Sequence, residues 1–168
     1  FDLMEETGVI ERSDSPWSSP LHMVTKKDGS FRPCGDFWRL NLVTTPDRYS
    51  LPRISHLSHN LRGAKVFSKL DILKAYWQVP LSEKSKRKTS IVTPFGNYHF
   101  NRMPFGLKNA GSSFQRMIDY CFHGLDFVFC YVDDVLVFSS TLEEHLLHLR
   151  QVFKRLKKFG LLIDPAKC

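Results

Sequence analysis

The feature that most constrains the fold is the apolar stretch 127–138, which only two adjacent carboxylates interrupt. Aromatic and β-branched residues on both sides of Asp133 and Asp134 predict two buried strands joined by a hairpin turn at the acidic pair. Two like charges about 4 Å apart repel by roughly 4 kcal/mol at an effective dielectric near 20. We therefore expect a compensating positive charge, and carboxylate oxygens of this kind suit Mg²⁺. The alternative is a solvated turn in which the repulsion is mostly screened.

A third acid, Asp71, ends another β-prone run at 66–70. If this run and the hairpin share a sheet, the Asp71 carboxylate lies beside the acidic turn. Three carboxylates at one sheet edge would hold two Mg²⁺ ions about 3.5–4 Å apart, an arrangement that supports in-line phosphoryl transfer. The alternative is a helix N-cap, for which aspartate is a favoured residue.

The remaining patterns predict further hairpins and two longer helices. Asp-Gly at 28–29 and Gly-Asn at 96–97 predict turns between β-prone flanks, the first with a basic tip. Apolar residues at helical spacing predict helices over 109–122 and 141–160, and Thr141 opens the second with a capping box. Hairpins without regular βαβ alternation indicate an α+β fold in one domain.

The helix predicted over 141–160 is amphipathic. Its packed face is expected to consist of the apolar residues at helical spacing, Leu146, Leu149, Phe153 and Leu156. We place His145 and His148 at the surface or in partial contact with the core, and not as ligands. The basic residues near its C-terminal end complement the helix dipole and are interpreted as solvated.

Charge and composition limit the classes of function. The chain has 24 Lys and Arg against 17 Asp and Glu residues, a formal net charge of +7, which favours a polyanionic partner but is also common in plain soluble proteins. Four scattered cysteines without a C-x-x-C pair argue against a disulfide framework or a zinc knuckle. The apolar runs are too short for a membrane span, and without a basic-then-apolar stretch at the start of this sequence we do not expect a secreted protein. We expect a fragment of a longer protein.

Five motifs, in order along the chain, resemble those of reverse transcriptases. Residues 129–137 look like the Tyr-x-Asp-Asp box, and residues 70–79 resemble the motif that carries the preceding catalytic aspartate. Residues 102–110 closely resemble the next motif in its gypsy-type LTR-retrotransposon version. Residues 26–32 and 36–41 are similar to the fingers motifs. The resemblance covers essentially the whole chain.

The resemblance implies the fingers and palm of a right-hand polymerase, an α+β fold with the thumb absent. The fingers would be about 1–47 and 80–109, and the palm about 48–79 and 110–168. The implied activity is that of an RNA-directed DNA polymerase, which adds dNTPs to a primer 3′-OH within a retrotransposon Pol polyprotein. The implied partners are an RNA or DNA template with its primer, dNTP, and the thumb, RNase H and integrase domains, with no membrane. The implied location is intracellular, in the cytoplasm within a virus-like particle, with the nucleus as an alternative.

The resemblance also assigns the catalytic centre. Asp71, Asp133 and Asp134 would be the catalytic carboxylates and the ligands of two Mg²⁺ ions, for which Mn²⁺ can substitute. Lys26 and Arg32 would hold the incoming triphosphate, Arg as a bidentate fork and Lys as a point charge. From the sequence alone, the alternative for each cation is an exposed loop residue.

Further roles follow from the same motifs. Tyr76 would lie beneath the sugar and clash with a ribose 2′-OH, Phe105 and Gly106 would line the nucleotide pocket, and Tyr131 would pack near the primer end. Contacts to template or primer phosphates are implied for the basic run Lys84, Lys86, Arg87 and Lys88. From the sequence alone, the alternative is a core residue for Tyr76 and a plain turn for Phe105 and Gly106. For Tyr131 it is a core strand residue, and for the basic run it is a solvated loop.

Departures from the family pattern leave a second function open. Trp38 stands where the family usually has Arg, and Gly35 stands where it usually has an aliphatic residue. These favour a catalytically inactive, nucleic-acid-binding remnant, whereas the intact acids oppose it. A third reading is the palm of an RNA-dependent RNA polymerase, which Tyr76 opposes because such an enzyme must admit the 2′-OH.

Overall fold

The computed structural model describes residues 1–25, 29, 31–53, 55, 57 and 61–168. Its strands are β1 (Ile10–Arg12), β2 (Ser19–Thr25), β3 (Phe31–Gly35), β4 (Val66–Asp71), β5 (Ile91–Thr93), β6 (Gly96–Phe100), β7 (Val128–Tyr131) and β8 (Asp134–Ser139). Its α-helices are α1 (Asp2–Glu6), α2 (Trp38–Val43), α3 (Glu83–Lys86), α4 (Ala110–Cys121) and α5 (Leu142–Phe159). Turns of 3₁₀-helix lie at Ala75–Gln78, Arg87–Thr89 and Pro165–Lys167. Within the described ranges, no helix is both long enough and apolar enough to cross a membrane.

The chain divides into two compact units. The first comprises Phe1–Pro46 and Tyr76–Ala110, and the second comprises Asp47–Ala75 and Gly111–Cys168. Each unit combines one β-sheet with helices. The predicted α+β fold class is therefore confirmed.

The first unit is built on a five-stranded sheet with the order β1-β6-β5-β2-β3. Neighbouring strands are antiparallel except for β2 and β5, which run parallel. The pairing of β2 with β3 confirms the strands of the hairpin predicted around 28–29, whereas residues 26–28 and 30 lie outside the described ranges. The core of this unit consists of Met4, Val9, Ile10, Phe37, Leu40, Ile91, Tyr98 and Phe100.

The second predicted hairpin turns two residues earlier than expected. Thr93 pairs with Gly96, so the loop is Pro94-Phe95 and Gly96 already belongs to β6. The Thr93 hydroxyl closes this loop, since it accepts a hydrogen bond from the Phe95 backbone N–H at 3.1 Å and donates one to the Gly96 carbonyl at 2.7 Å. Proline presets the backbone for the first loop position. The turn predicted at Gly96-Asn97 was therefore wrong.

The second unit is built on an antiparallel sheet with the order β4-β8-β7. Strands β7 and β8 are the hairpin predicted from 127–138, and β4 is the strand predicted from 66–70, so both predictions are confirmed. Helix α5 packs on β8 and β4. The large buried apolar side chains of this unit include Leu70, Phe114, Ile118, Val135, Val137, Phe138, Val152 and Leu156.

Helix α5 has the predicted ends but not the predicted face. The Thr141 hydroxyl accepts from the Glu144 N–H at 3.2 Å, and Gly160 ends the helix with a φ of 67°. Leu156 is buried as expected, but Leu146 and Phe153 are 54% and 44% exposed. The buried residues of α5 are His145, Val152 and Leu156. Successive helix positions lie about 100° apart, so two overlapping faces of this helix carry apolar residues at helical spacing. The face that packs on the sheet is the one with Val152, and not the one with Leu146 and Phe153.

His145 is only 3% exposed, so the prediction that it lies at the surface or in partial contact with the core was wrong. Its ring nitrogens each have a hydrogen-bonding partner: Nε2 lies 2.8 Å from Ser68 Oγ and Nδ1 lies 2.8 Å from Ser139 Oγ. A neutral imidazole has one donor and one acceptor, and the two hydroxyls satisfy both. Burial, with His148 as a smaller contribution, lowers the pKa of His145.

This lowered pKa predicts a stability that decreases in acid. The unfolded histidine binds a proton near its ordinary pKa of about 6.5, whereas the folded one resists protonation, so the free energy of unfolding falls as the pH drops below that value. Urea unfolding between about pH 8 and pH 5.5 measures this slope. We expect His145→Gln to flatten the slope and His123→Gln, at an exposed position, to leave it unchanged. An equal slope in wild type and His145→Gln would contradict the assignment.

Candidate functional site

The acidic pair lies at the β7–β8 hairpin, shifted by one residue from the predicted turn. Tyr131 pairs with Asp134, so the two-residue loop is Val132-Asp133 and Asp134 begins β8. The predicted turn at Asp133-Asp134 was wrong because pairing extends to Asp134. Val132 adopts a φ of 52°, a region that β-branched residues rarely enter. The two adjacent carboxylates therefore have different surroundings, one in a loop and one in a strand.

Asp71 lies at the end of β4 beside this hairpin. Strands β4 and β8 pair from Val66–Ser139 through to Asp71–Asp134. The Ile72 N–H donates to the Asp133 carbonyl at 2.9 Å, which continues the pairing past the end of β4. Asp71 is thus a strand residue and not a helix N-cap, and the expectation that it shares a sheet with the hairpin is confirmed. All three acids lie at one end of the sheet.

Two lysines compensate this concentration of negative charge. Lys69 Nζ lies 3.0 Å from Asp134 Oδ1. The hydrogen bond and charge of Asp134 raise the pKa of Lys69, and the charges of Asp71 and Asp133 add to this. Lys167 Nζ lies 3.5 Å from Asp71 Oδ1 and 3.4 Å from an oxygen of Asp164. The positive charge that the sequence required is therefore supplied by Lys69, from the same strand as Asp71.

The arrangement of donors limits how a divalent ion would bind. In the part of the chain that the structure describes, no group of three His, Cys, Asp or Glu side chains is arranged to hold a metal ion. Lys69 pairs with Asp134 at 3.0 Å, whereas Lys167 lies farther from Asp71, at 3.5 Å, so Asp71 and the exposed Asp133 are the less tightly paired oxygen donors. Mg²⁺ is commonly bound through one or two carboxylates, with waters and substrate phosphates completing its shell. The site fits that mode, and not a shell of three protein carboxylates.

Sequence reasoning missed Gln115, which contacts the acidic hairpin from helix α4. Its side chain is fully buried. Its Oε1 accepts from the Val132 N–H at 2.8 Å, and its Nε2 donates to the Cys130 carbonyl at 3.1 Å and to Asp119 Oδ1 at 2.8 Å. The available signal was a glutamine next to the apolar face of the predicted helix 109–122.

The first unit brings three of the predicted nucleotide-binding residues together. The Arg32 guanidinium lies over the Phe105 ring, 4.2 Å from its centroid. The Tyr76 and Phe105 rings are 5.2 Å apart and tilted by 51°. The adjoining Gly106 carbonyl accepts from Asn41 Nδ2 at 2.7 Å, a contact to which sequence reasoning gave no role. Lys26 lies outside the described residues.

The residues predicted to contact primer or template differ in their exposure and in their ion pairing. Lys86 pairs with Glu83 at 2.5 Å and Arg87 with Asp14 at 3.5 Å. Lys84, like Arg87, is exposed, and Lys88 is half-buried. Tyr131 is 40% exposed at the end of β7, so it is not a core strand residue.

Comparisons with known proteins place the chain in a family. Residues 24–168 match the family described as Reverse transcriptase (RNA-dependent DNA polymerase). The chain is 39% identical over 174 residues to the retrovirus-related Pol polyprotein from transposon opus of Drosophila melanogaster, which covers 99% of the chain and 17% of that polyprotein. It is 37% identical to the enzymatic polyprotein of cauliflower mosaic virus (strain Strasbourg), over 95% of the chain and 24% of that polyprotein. The chain belongs to the reverse transcriptase family.

Solved structures support the same fold. A foamy viral protease-reverse transcriptase in complex with double-stranded DNA superposes with a TM-score of 0.85 at 23% identity, over 96% of this chain and 28% of that one. The native prototype foamy virus protease-reverse transcriptase gives a TM-score of 0.81 at 24% identity, over 96% and 22%. The fingers-and-palm fold class predicted from the sequence is thereby confirmed.

The departure at Gly35 has a steric reason that predicts a measurable coupling. A Cβ at this position would lie 2.3 Å from Cζ of the buried Phe37 ring. We expect Gly35→Ala to lower the free energy of unfolding by about 1–3 kcal/mol, as overpacking does. In a Phe37→Leu background the added loss should be smaller, because the smaller side chain leaves room. Urea unfolding of the four proteins in this cycle measures the coupling. Additive losses would show that the ring does not limit residue 35.

Proposed function

We propose that this chain is the fingers and palm part of an RNA-directed DNA polymerase, with the first unit as fingers and the second as palm. The observation that carries the proposal is the convergence of Asp71, Asp133 and Asp134 at one end of a palm-like sheet in a member of this family. The reaction is the template-directed addition of dNTPs to a primer 3′-OH. Structural neighbours recorded with double-stranded DNA and with an RNA/DNA hybrid support a template-primer partner.

Asp71 and Asp133 are the proposed ligands of two Mg²⁺ ions, with Mn²⁺ as a substitute. When bound, such ions neutralise charge on the phosphates and stabilise the attacking and leaving oxygens of an in-line displacement. The two carboxylates supply the oxygen donors, and the antiparallel pairing of β4 with β8 holds them at one sheet edge. Asp134 has a different role in this proposal: it fixes Lys69, which lowers the repulsion among the three acids.

The first unit supplies the proposed nucleotide contacts. Arg32, stacked on Phe105, presents a guanidinium whose planar fork suits a triphosphate, and Lys26 adds a second cation. Tyr76 packs against Phe105 and is the proposed barrier to a ribose 2′-OH. Gly106, held by Asn41, completes the pocket.

The proposed primer and template contacts are electrostatic and aromatic. Tyr131, exposed at the end of β7, suits the primer end. Phosphate contacts are proposed for Lys84, Lys86, Arg87 and Lys88, and the pairing of Lys86 and Arg87 with acids predicts that these two contribute less.

The proposed context is a Pol polyprotein of a gypsy-type retrotransposon. The relatives from Drosophila transposons support a retrotransposon origin, and the resemblance of residues 102–110 to the gypsy-type form of their motif supports the finer assignment. The partners in this proposal are the thumb, RNase H and integrase domains of the parent chain. Its location is intracellular, in a cytoplasmic virus-like particle or in the nucleus.

An inactive nucleic-acid-binding remnant is the second candidate. It is favoured by Trp38, which is 64% exposed where the family usually has Arg. Gly35 no longer favours it, since the Phe37 ring occupies the space that a side chain would need. The first test below separates the two candidates.

Replacing Asp133 tests catalysis directly. Residues 1–168 can replace the matching segment of the transposon opus polyprotein, and primer extension on an RNA template is then measured with Mg²⁺. We expect Asp133→Asn to lower extension by at least about 100-fold, because an oxygen ligand with its charge is lost. Asp126→Asn, at an exposed acid of the same unit, should retain activity. Undiminished extension by Asp133→Asn would reject the assignment, and an inert chimaera that still binds primer-template would favour the remnant.

Replacing Tyr76 tests the choice of sugar. In the same chimaera, Tyr76→Ala should raise ribonucleotide incorporation relative to dNTP by at least about 10-fold, since the barrier to the 2′-OH is removed. Tyr120→Ala, at an exposed position of α4, is the control and should leave the ratio unchanged. The ratio of kcat/KM for the two nucleotides is the measurement. An unchanged ratio in Tyr76→Ala would contradict the proposed role of Tyr76 as the barrier to the 2′-OH.

A further inference from the structure

Helix α4 contains a buried polar side chain, Gln115, that is hydrogen-bonded to the backbone of the β7–β8 hairpin. Gln115 is fully buried between the apolar neighbours Phe114 and Ile118. A buried amide is costly unless its groups are hydrogen-bonded, so such a residue usually has a specific set of partners. Here the partners are backbone groups of the β7–β8 hairpin, on both sides of Tyr131.

The chemistry of Asp119 fixes which way the Gln115 amide points. One Asp119 oxygen accepts from Gln115 Nε2 at 2.8 Å, and the other accepts from the Tyr49 hydroxyl at 2.6 Å. The hydrogen bond to Asp119, followed by burial, raises the pKa of Tyr49, so this hydroxyl remains a donor. A carboxylate only accepts hydrogen bonds, so the amide nitrogen must face Asp119. The amide oxygen is then left to face the Val132 N–H.

The hairpin needs support at the position that Gln115 contacts. Val132 has a φ of 52°, which is unfavourable for a β-branched residue and persists only where the surroundings hold it. Gln115 makes one hydrogen bond to the N–H of Val132 and another to the carbonyl of Cys130, two residues earlier. Asp133 follows at once, and its carbonyl accepts from the Ile72 N–H at 2.9 Å.

We propose that Gln115 is a positioning residue for Asp133. It holds Val132 in the left-handed conformation from which the chain places Asp133 in the loop next to the end of β4. Asp119 and Tyr49 orient the Gln115 amide for this task. The inference rests on the proposed function, because it gives the hairpin geometry a catalytic purpose.

The test uses two substitutions at Gln115 and a matched control. Gln115→Leu and Gln115→Met replace the amide with an apolar side chain of similar size and remove both hydrogen bonds to the hairpin. Ile118→Val is the control, since it perturbs the core one turn along the same helix without touching those bonds. The first readout is backbone amide hydrogen exchange by NMR in the 168-residue chain, with the Val137 amide of the sheet centre as internal reference.

In both Gln115 variants we expect the Val132 amide to exchange at least about 10-fold faster relative to Val137, because its acceptor is gone. The second readout is steady-state kinetics in the polymerase chimaera. There kcat should fall by about 10-fold or more while KM for dNTP stays within about 2-fold, since a misplacement of about 1 Å costs on the order of 10²-fold in rate. Ile118→Val should change neither the relative exchange rate of the Val132 amide nor the kinetic constants.

The two readouts separate failure of this inference from failure of the proposed function. Protection of the Val132 amide that is unchanged in a folded Gln115 variant would overturn the positioning role. So would an unchanged kcat in a chimaera that Asp133→Asn inactivates. An active Asp133→Asn protein would instead overturn the proposed function, and the exchange measurement would still report whether Gln115 holds the turn.

Discussion

The register between β4 and β8 is the constraint on which the rest of the site depends. A slip of one residue would turn every side chain of β4 to the opposite face of the sheet. Leu70 and Val135 are opposite each other and both buried, so such a slip would expose Leu70 and drive Lys69 into the core. Apolar burial thus fixes the register, and the register places Asp71 opposite Asp134. The position of the acids is a consequence of packing elsewhere in the sheet.

The site balances charge without adding much to global stability. Lys69 and Lys167 are 60% and 63% exposed, and exposed ion pairs contribute about 0–1 kcal/mol. Within the site, the attraction between each lysine and its carboxylate is of the same order as the repulsion between two close carboxylates at the same effective dielectric, so the lysines offset that repulsion. Stability of this unit therefore comes from its buried apolar side chains. The ion pairs of Lys69 and Lys167 reduce the electrostatic cost of placing three carboxylates at one end of the sheet.

The sequence predicted strands and helix ends well because these depend on local patterns. The run 127–138 and the capping box at Thr141 carry enough information by themselves. The exact turn did not follow, because whether Asp134 belongs to the loop or to β8 is decided by its pairing with Tyr131. The buried face of α5 was misjudged at His145 for a similar reason, since only the fold supplies the two hydroxyls that make its burial tolerable.

The residues of the candidate site likewise divide into those that the sequence predicts and those that only the fold reveals. The three acids were found from the sequence because their residue types and flanks are unusual, and the need for a nearby cation followed from Coulomb's law. That Lys69 is this cation depends on the strand it shares with Asp71. Gln115 could not be assigned, because its partners are backbone atoms of residues 130 and 132, which no side-chain pattern encodes.

Backbone strain locates the site independently of any family resemblance. Among the described residues, the non-glycine positions with positive φ are Lys74, at 45°, and Val132, at 52°. Lys74 lies three residues after Asp71, and Val132 immediately precedes Asp133. Conformations of this kind cost on the order of 1–3 kcal/mol and cluster at functional sites, where the surrounding structure holds them. Each of these two positions therefore lies within three residues of an acid proposed as a metal ligand, so the positive-φ residues and the acidic residues occupy the same segments of the chain.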